Sequence, residues 1–364
     1  MDLQNEKKLF LKKFSNPEVT DIEKMSFQYA LFLANMKRFL PEMPKENYKS
    51  FFLDLQYHRW LSKKEQYDLE LLHHMKIINS SSFNIETPNQ CKNIIFATFH
   101  LGPFRLFNCF LLERGFKIAL IVDHNVYLSQ GEELINEVLP LLNNSGKADL
   151  IVLDVKDKKS IFKLKELISN GYVISVYLDG NTGITRIRSN EFDNSFIQIV
   201  FFNNKVNVKY GIGRLALLLG LDIIPVISYR DKNENPVVYV NKEIKISDFQ
   251  DRKTYPQKVI EHLFSLFEKK LAIHKNQWVD WVFIHQWFKR GARTPYTVPH
   301  TIMNIFNEDR YALFIKDKCH YLFDLYDYIS YPIDSELYEQ LNKNNISSIK
   351  KDWMAELVEK NIII

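Results

Sequence analysis

Cysteine is scarce in this chain: three among 364 residues, Cys91, Cys109 and Cys319. An odd number without metal-ligand spacing argues against a disulfide framework or a structural zinc site, and points to reduced thiols in a cytosolic protein. Long apolar runs are missing as well. No window approaches the roughly 20 residues that a membrane-spanning helix needs. The amino terminus, MDLQNEKKLFLKKF, is charged throughout and has no apolar segment leading to a small-residue cleavage site. The net charge is only +4, and no dense Lys/Arg stripe interleaved with aromatics occurs, so nucleic acid is not an expected partner. The expected location is the cytoplasm, with peripheral contact at the inner membrane left open. Walker, G-x-S-x-G and H-E-x-x-H patterns are all absent, and neither a metal nor a redox cofactor is expected.

What remains is an ordinary globular composition, 46% apolar and 25% charged. Its mildly basic pI near 8.6 is compatible with anionic partners but does not require them. Residues 1–85 read as a helical region. Apolar residues recur at helical period up to Leu40, Pro41 and Pro44 break the run, and a further helix is expected over 63–75 with Ser62 as N-cap. His73 and His74 sit side by side on that helix and point in different directions, which makes them surface or capping residues rather than joint ligands.

Residues 86–293 alternate apolar strands with helices, the pattern of an α/β domain with a mostly parallel central sheet flanked by helices. NIIFATF, KIALIVD, ADLIVLDV and YVISVYLDG read as strands with helices between them. FIQIVFFNNKVNVKY reads as two strands about a turn at Asn203-Asn204. GIGRLALLLG lacks the spacing of a dinucleotide fingerprint, and close helix packing accounts better for its glycines. After a proline-containing linker, 300–364 reads as a small α+β module of two or three strands and two helices.

The stretch 93–107, NIIFATFHLGPFRLF, organises the chain. It predicts a buried strand, a tight turn carrying His100 and Gly102, and a helix over 103–114 with Pro103 near its first turn. Strand ends that feed helices are where open α/β sheets place their chemistry. A histidine there is either a base or a satisfied structural group, and the residues alone leave that open. A second polar loop, Asp179-Gly180-Asn181-Thr182-Gly183, follows another strand, where an ordinary Asp-Gly turn is the plainer reading.

The order of these motifs resembles the bacterial lysophospholipid acyltransferase-like family, in the branch of lipid A late acyltransferases. His100-Leu101-Gly102-Pro103-Phe104-Arg105 stands where that branch has H-x-G-N-W-E, a form of the broader H-x4-D/E motif. Asp179 to Gly183 matches its D-Q-x-x-G, Phe201-Phe202 its FFG-type strand, and Gly211 to Ala216 its G-x-A-x-L-A helix. Ile223-Ile224-Pro225-Val226 and the tail from Gln277-Trp278 through Trp281, His285, Trp287 and Lys289 complete the series. The likeness spans about residues 25–291 and implies a glycerolipid acyltransferase-like fold. It also implies transfer of an acyl group from an acyl-carrier-protein phosphopantetheine or coenzyme A thioester to a hydroxyl or amine, with His100 as general base. Asp179 joins His100 as a candidate catalytic residue. Gly102, Arg105, Asp123, Gly180, Asn181, Gly183 and Arg186 are candidate substrate-binding residues, with backbone amides near Gly102 and the Asp179 loop shaping the oxyanion site.

The chain departs from the branch in two ways: the usual amino-terminal anchor is missing, and Arg105 occupies the place of the acid that orients the histidine. Asp123 or Asp179 stands in for that acid in space, or the acceptor needs less help, or the site binds acyl groups without transferring them. Arg105 itself suits a phosphopantetheine phosphate or an acceptor carboxylate. Tyr311 to Lys318 followed by Tyr321-Leu322-Phe323 resembles winged-helix modules of peptide-modifying enzymes, which capture a leader peptide by strand addition. A lid or dimerisation appendage is the plainer reading of that module. Together these features imply secondary-metabolite or peptide tailoring.

Overall fold

The computed structural model describes residues 3–15, 19–143, 146–157, 160–180, 195–288 and 304–364. Four helices open the chain: α1 (Leu3–Ser15), α2 (Val19–Phe39), α3 (Tyr48–Lys64) and the short α4 (Leu69–His73). The single helix expected over 63–75 is broken. Asp68 turns into extended backbone and its side chain accepts from Leu71 N (2.9 Å), so the cap is Asp68 and not Ser62. Ser62 lies inside α3 and donates to Arg59 O (2.9 Å). Directly after α4 comes a strand that the helical periodicity does not announce, β1 (Lys76–Asn79).

By contact the chain divides into two units, Met1–Lys8 with Leu53–Asp280, and Leu9–Phe52 with Trp281–Ile364. In the first, β2 (Ile94–Thr98) leads through α5 (Leu106–Glu113) to β3 (Lys117–Val122). Next come α6 (His124–Glu133), a π-turn at Leu134–Val138 and α7 (Leu139–Leu142), which lead to β4 (Asp149–Asp154). Helix α8 (Ser160–Ser169) then precedes β5 (Tyr172–Tyr177). A separate hairpin, β6 (Phe196–Phe201) and β7 (Asn204–Lys209), turns at Phe202-Asn203. Both turn residues have positive φ, as a two-residue turn matching strand twist requires. Helix α9 (Gly211–Leu219), β8 (Asp222–Arg230), β9 (Pro236–Val240) and α10 (Tyr255–Leu271) complete the unit.

The central sheet runs β1-β9-β8-β2-β5-β3-β4, and every neighbouring pair is parallel except β8 with β9. This is the mostly parallel sheet expected from the continuous apolar strands. All of β2 is buried, because it lies between β8 and β5 with both faces covered. The core against it gathers Phe96, Leu106, Phe107, Leu111, Ile118 and Ile224. Strand β5 inserts between β2 and β3, so the carboxyl ends of β2 and β5 are adjacent. Gly213 is the glycine that α9 needs, since a Cβ there would sit 2.5 Å from Pro256 O of α10.

In the second unit, β10 (Tyr311–Lys316), β11 (Cys319–Asp324) and β12 (Ile329–Ile333) form an antiparallel sheet, followed by α11 (Ser335–Asn342) and α12 (Lys351–Glu359). Helix α2 packs on β10, where Ser26 Oγ accepts from Ile315 N (3.1 Å). Buried Asn35 donates to Trp281 O (2.7 Å) and accepts from Tyr328 Oη (3.0 Å). Among the described residues no helix is long and apolar enough to cross a membrane.

Candidate active site

The register of β2 on β5 builds the site. Thr98 pairs with Tyr177, and Leu178 N donates to Thr98 O (2.9 Å), so the next residues beyond the two strands bring His100 against Asp179. Asp179 is fully buried, and its carboxylate accepts from His100 N (2.9 Å to Oδ2), Trp278 Nε1 (2.7 Å to Oδ2) and His100 Nδ1 (2.8 Å to Oδ1). A carboxylate so placed stays where three donors hold it. Because the Nδ1–H of the neutral ring donates to Asp179, the free lone pair falls on Nε2. The ring stacks on Tyr177 (4.6 Å between centroids, 22°) and meets Phe104 edge-on at 4.8 Å.

Asp280 supplies a second carboxyl group, its Oδ2 3.6 Å from the same Nδ1. Burial first, then the negative charge of Asp179, carry its acid up to about 7, against the opposing pull of His100 and Arg59. For His100, burial pushes the imidazole down, but the charge and hydrogen bond of Asp179, with the charge of Asp280, outweigh it and raise the net value. Arg105 acts on the ring in the opposite sense.

His100, Asp179 and Asp280 offer three potential cation ligands within 4.8 Å of one another. Both oxygens of Asp179 are already committed to N–H donors, so the group fits an acid–base cluster better than a metal centre.

His100 and Asp280 open onto a cavity of about 800 Å³, within the range of small-molecule sites, with Asp179 enclosed behind the ring. Its lining is mostly apolar, with residues such as Leu112, Leu120, Leu153 and Leu164, and includes the polar groups His100, Arg105, Asp123, Asp154 and Asp280 with Gly180. Cys109 lines it too, but burial pushes that thiol up to about 12, so it is no nucleophile at neutral pH.

The remaining sequence candidates fall in different places. Arg105 points to neutral acceptors, Gln66 Oε1 (3.1 Å) and Gln130 Oε1 (2.8 Å), on the cavity wall. Asp123 caps α6 through Asn125 N (2.8 Å) and reaches the cavity without meeting His100 among the described contacts. Gly180 lies beside the ring, its would-be Cβ 3.8 Å from His100 Cε1. Asn181, Gly183 and Arg186 lie outside the described residues.

The expectation for Gly102 needs correction. Its N–H donates to Gln277 O (3.1 Å) and is not free to hold an oxyanion. Its φ is +54°, and a Cβ would come 2.8 Å from Tyr229 Cα, so the glycine allows two backbones to approach closely. The helix expected from Pro103 begins only at Leu106, after a turn closed by Leu106 N to Pro103 O (3.0 Å). Two groups escape sequence reasoning, the Trp278 donor and the Asp280 acid. Their signal is an acid set among the tryptophans of QWVDW.

No protein-family model matches the chain, and neither does any curated protein. Among solved structures it is similar to the 1-acyl-sn-glycerophosphate (LPA) acyltransferase PlsC of Thermotoga maritima, with 15% identity and a TM-score of 0.31 over 68% of this chain and 97% of that one. That likeness is too faint to carry an assignment.

Proposed function

We propose that the chain is an acyltransferase that moves an acyl group from a thioester to a hydroxyl or amine acceptor, with His100 as general base and Asp179 as its orienting acid. The observation that carries this reading is the buried Asp179 on His100 Nδ1, which leaves Nε2 for the cavity. It supplies the carboxylate that the spacing to Arg105 lacks, and so weakens the alternative of a binding protein without an acid. Nε2 accepts the acceptor proton as that oxygen or nitrogen attacks the thioester carbon. The tetrahedral centre then collapses, the carbon–sulfur bond breaks, and the imidazolium returns its proton to the departing thiolate. Asp179 favours the imidazolium while it exists. The apolar walls suit an acyl chain, and Arg105 suits an anionic group on the donor or acceptor.

The proposed donor is an acyl-carrier-protein or coenzyme A thioester, and no further cofactor enters the scheme. Peptide or secondary-metabolite tailoring, with the carboxy-terminal module meeting a peptide acceptor, belongs to the same proposal, as do a cytoplasmic location and peripheral membrane contact. Replacing His100 with Ala should lower thioester consumption by at least about 10²-fold, read by mass spectrometry with acyl thioesters of several lengths. Unchanged turnover removes His100 from the mechanism. Donor loss that continues without any acceptor assigns hydrolysis instead.

A further inference from the structure

Two carboxyl groups converge on one imidazole nitrogen, and only one of them has a hydrogen bond to it. Nδ1 carries a single proton, and Asp179 at 2.8 Å holds it. Asp280 Oδ2 stands 3.6 Å away, buried, with no hydrogen-bond partner among the described residues. We propose that Asp280 is a positioning residue of this site, a second carboxyl group that faces the same imidazole nitrogen as Asp179 and sets, through it, the protonation state in which His100 acts as a base.

The coupling is electrostatic. The groups facing Asp280 are His100 and Asp179 at the ends of β2 and β5 and Arg59 on α3, while Arg105 acts on His100. An ionised Asp280 would put a second negative charge beside Nδ1, its Oδ2 without a hydrogen-bond donor among the described residues, in a site already holding the Asp179 carboxylate. That charge would hold His100 as imidazolium, with Nε2 occupied. A neutral Asp280 leaves one carboxylate and a neutral ring, and Nε2 is then free. Imidazole and Asp280 therefore compete for one proton, and their titrations are coupled. The rise of the Asp280 acid to about 7 accords with this arrangement.

This inference rests on the reading of His100 as the base, so the test separates the two. The full-length protein is treated with diethyl pyrocarbonate, which modifies neutral imidazole, between pH 5 and 9, and the His100 peptide is followed by mass spectrometry. The wild type should titrate over a range broader than one proton allows. In Asp280→Asn and in Asp280→Leu the curve should narrow to a single proton, with its midpoint lower by about one pH unit. His124 in the same digest should not move.

A one-proton curve in the wild type, or an unchanged midpoint in either folded variant, overturns the proposal. So does stoichiometric Zn²⁺ binding that is lost in both His100→Gln and Asp280→Asn, which would make the cluster a cation site. Thioester turnover is measured on the same samples. If the midpoint shifts while no sample turns over thioester, the coupling stands and the acyltransferase reading fails.

Discussion

Two His–Asp pairs sit at the carboxyl ends of neighbouring parallel strands and both reach the same cavity, Asp154 as well as His100 lining it, but only one keeps its carboxylate wholly enclosed. His100 meets Asp179 at 2.8 Å beyond β2 and β5, and His124, just after β3, meets Asp154 at the end of β4 at 2.6 Å, through Nδ1 in both cases. The ring contact alone does not separate them. Burial does: Asp179 is wholly enclosed with His100 24% exposed, whereas Asp154 keeps 15% and His124 39%. Asp179 also holds the Trp278 indole and the His100 amide, while the second oxygen of Asp154 takes Lys156 N (2.9 Å) at the surface. A shielded carboxylate fixed by several donors can orient a base. A partly exposed one with only a neighbouring turn amide as further donor mostly closes that turn and contributes little.

Neutralising the two acids in turn puts that difference to the most severe test. Asp179→Asn keeps the shape but brings an amide N–H against donors, and it removes the charge that fixes the ring tautomer. Thioester turnover should fall on the order of 10³-fold or more, with a lower melting temperature. Asp154→Asn, on the cavity wall but without a hold on His100, should lower turnover far less, by no more than a few-fold, and shift stability by no more than about 0.5 kcal/mol. Equal losses in the two variants would abolish the distinction drawn from burial.

The two acids of the His100 site are not equally legible in the sequence. Asp179 follows an apolar strand and falls in a motif order, so it stands out. Its contact with His100 depends on β5 lying between β2 and β3, which sequence order does not reveal, because apolar runs predict strands but not their neighbours. The alternation of strands and helices is legible for the same reason, as are the carboxy-terminal strands Tyr311–Lys316, Cys319–Asp324 and Ile329–Ile333. Asp280 is hidden because its neighbours Val279 and Trp281 make it one polar residue in an aromatic tail. Gly102 draws notice for the wrong reason. A glycine near a candidate base suggests room for substrate, yet here the room is filled by the backbone at Tyr229. The strand Lys76–Asn79 escapes because four residues give too short a period to compete with the helices before it.

A smaller effect probes what encloses Asp179. Trp278→Phe keeps most of the buried ring and deletes the indole N–H that donates to Oδ2 at 2.7 Å. The variant should lose about 1.5–3 kcal/mol in urea unfolding, the range for a hydrogen bond to a charged group. Turnover should fall about tenfold, because Asp179 gains freedom to turn away from Nδ1. No counterpart exists for Asp154 among the described hydrogen bonds, since its further donor is a backbone amide that side-chain substitution cannot remove.

The smallest expected effect is the pH dependence of stability, where the two pairs should act at opposite ends of the scale. The native value of His100 lies above the ordinary 6.5, so native protein binds the proton more tightly than unfolded chain. The stabilisation is therefore complete below about 6.5 and disappears as pH rises through the native value. Asp280 adds a slope of the same sign between the ordinary carboxylate value of 3.8 and about 7. Asp154 works the other way. The amide of Lys156 first, and then the contact with His124, hold its acid below the ordinary value despite some desolvation. Its contribution is present above 3.8 and is lost only on acidification through the native value. Urea unfolding across pH 3 to 9 should show His100→Gln removing the decline above pH 6.5 and sparing the acid end. Asp154→Asn should soften the acid end and spare the decline. A His100→Gln curve parallel to the wild type above pH 6.5 would mean that the buried pair does not hold its proton as the geometry requires.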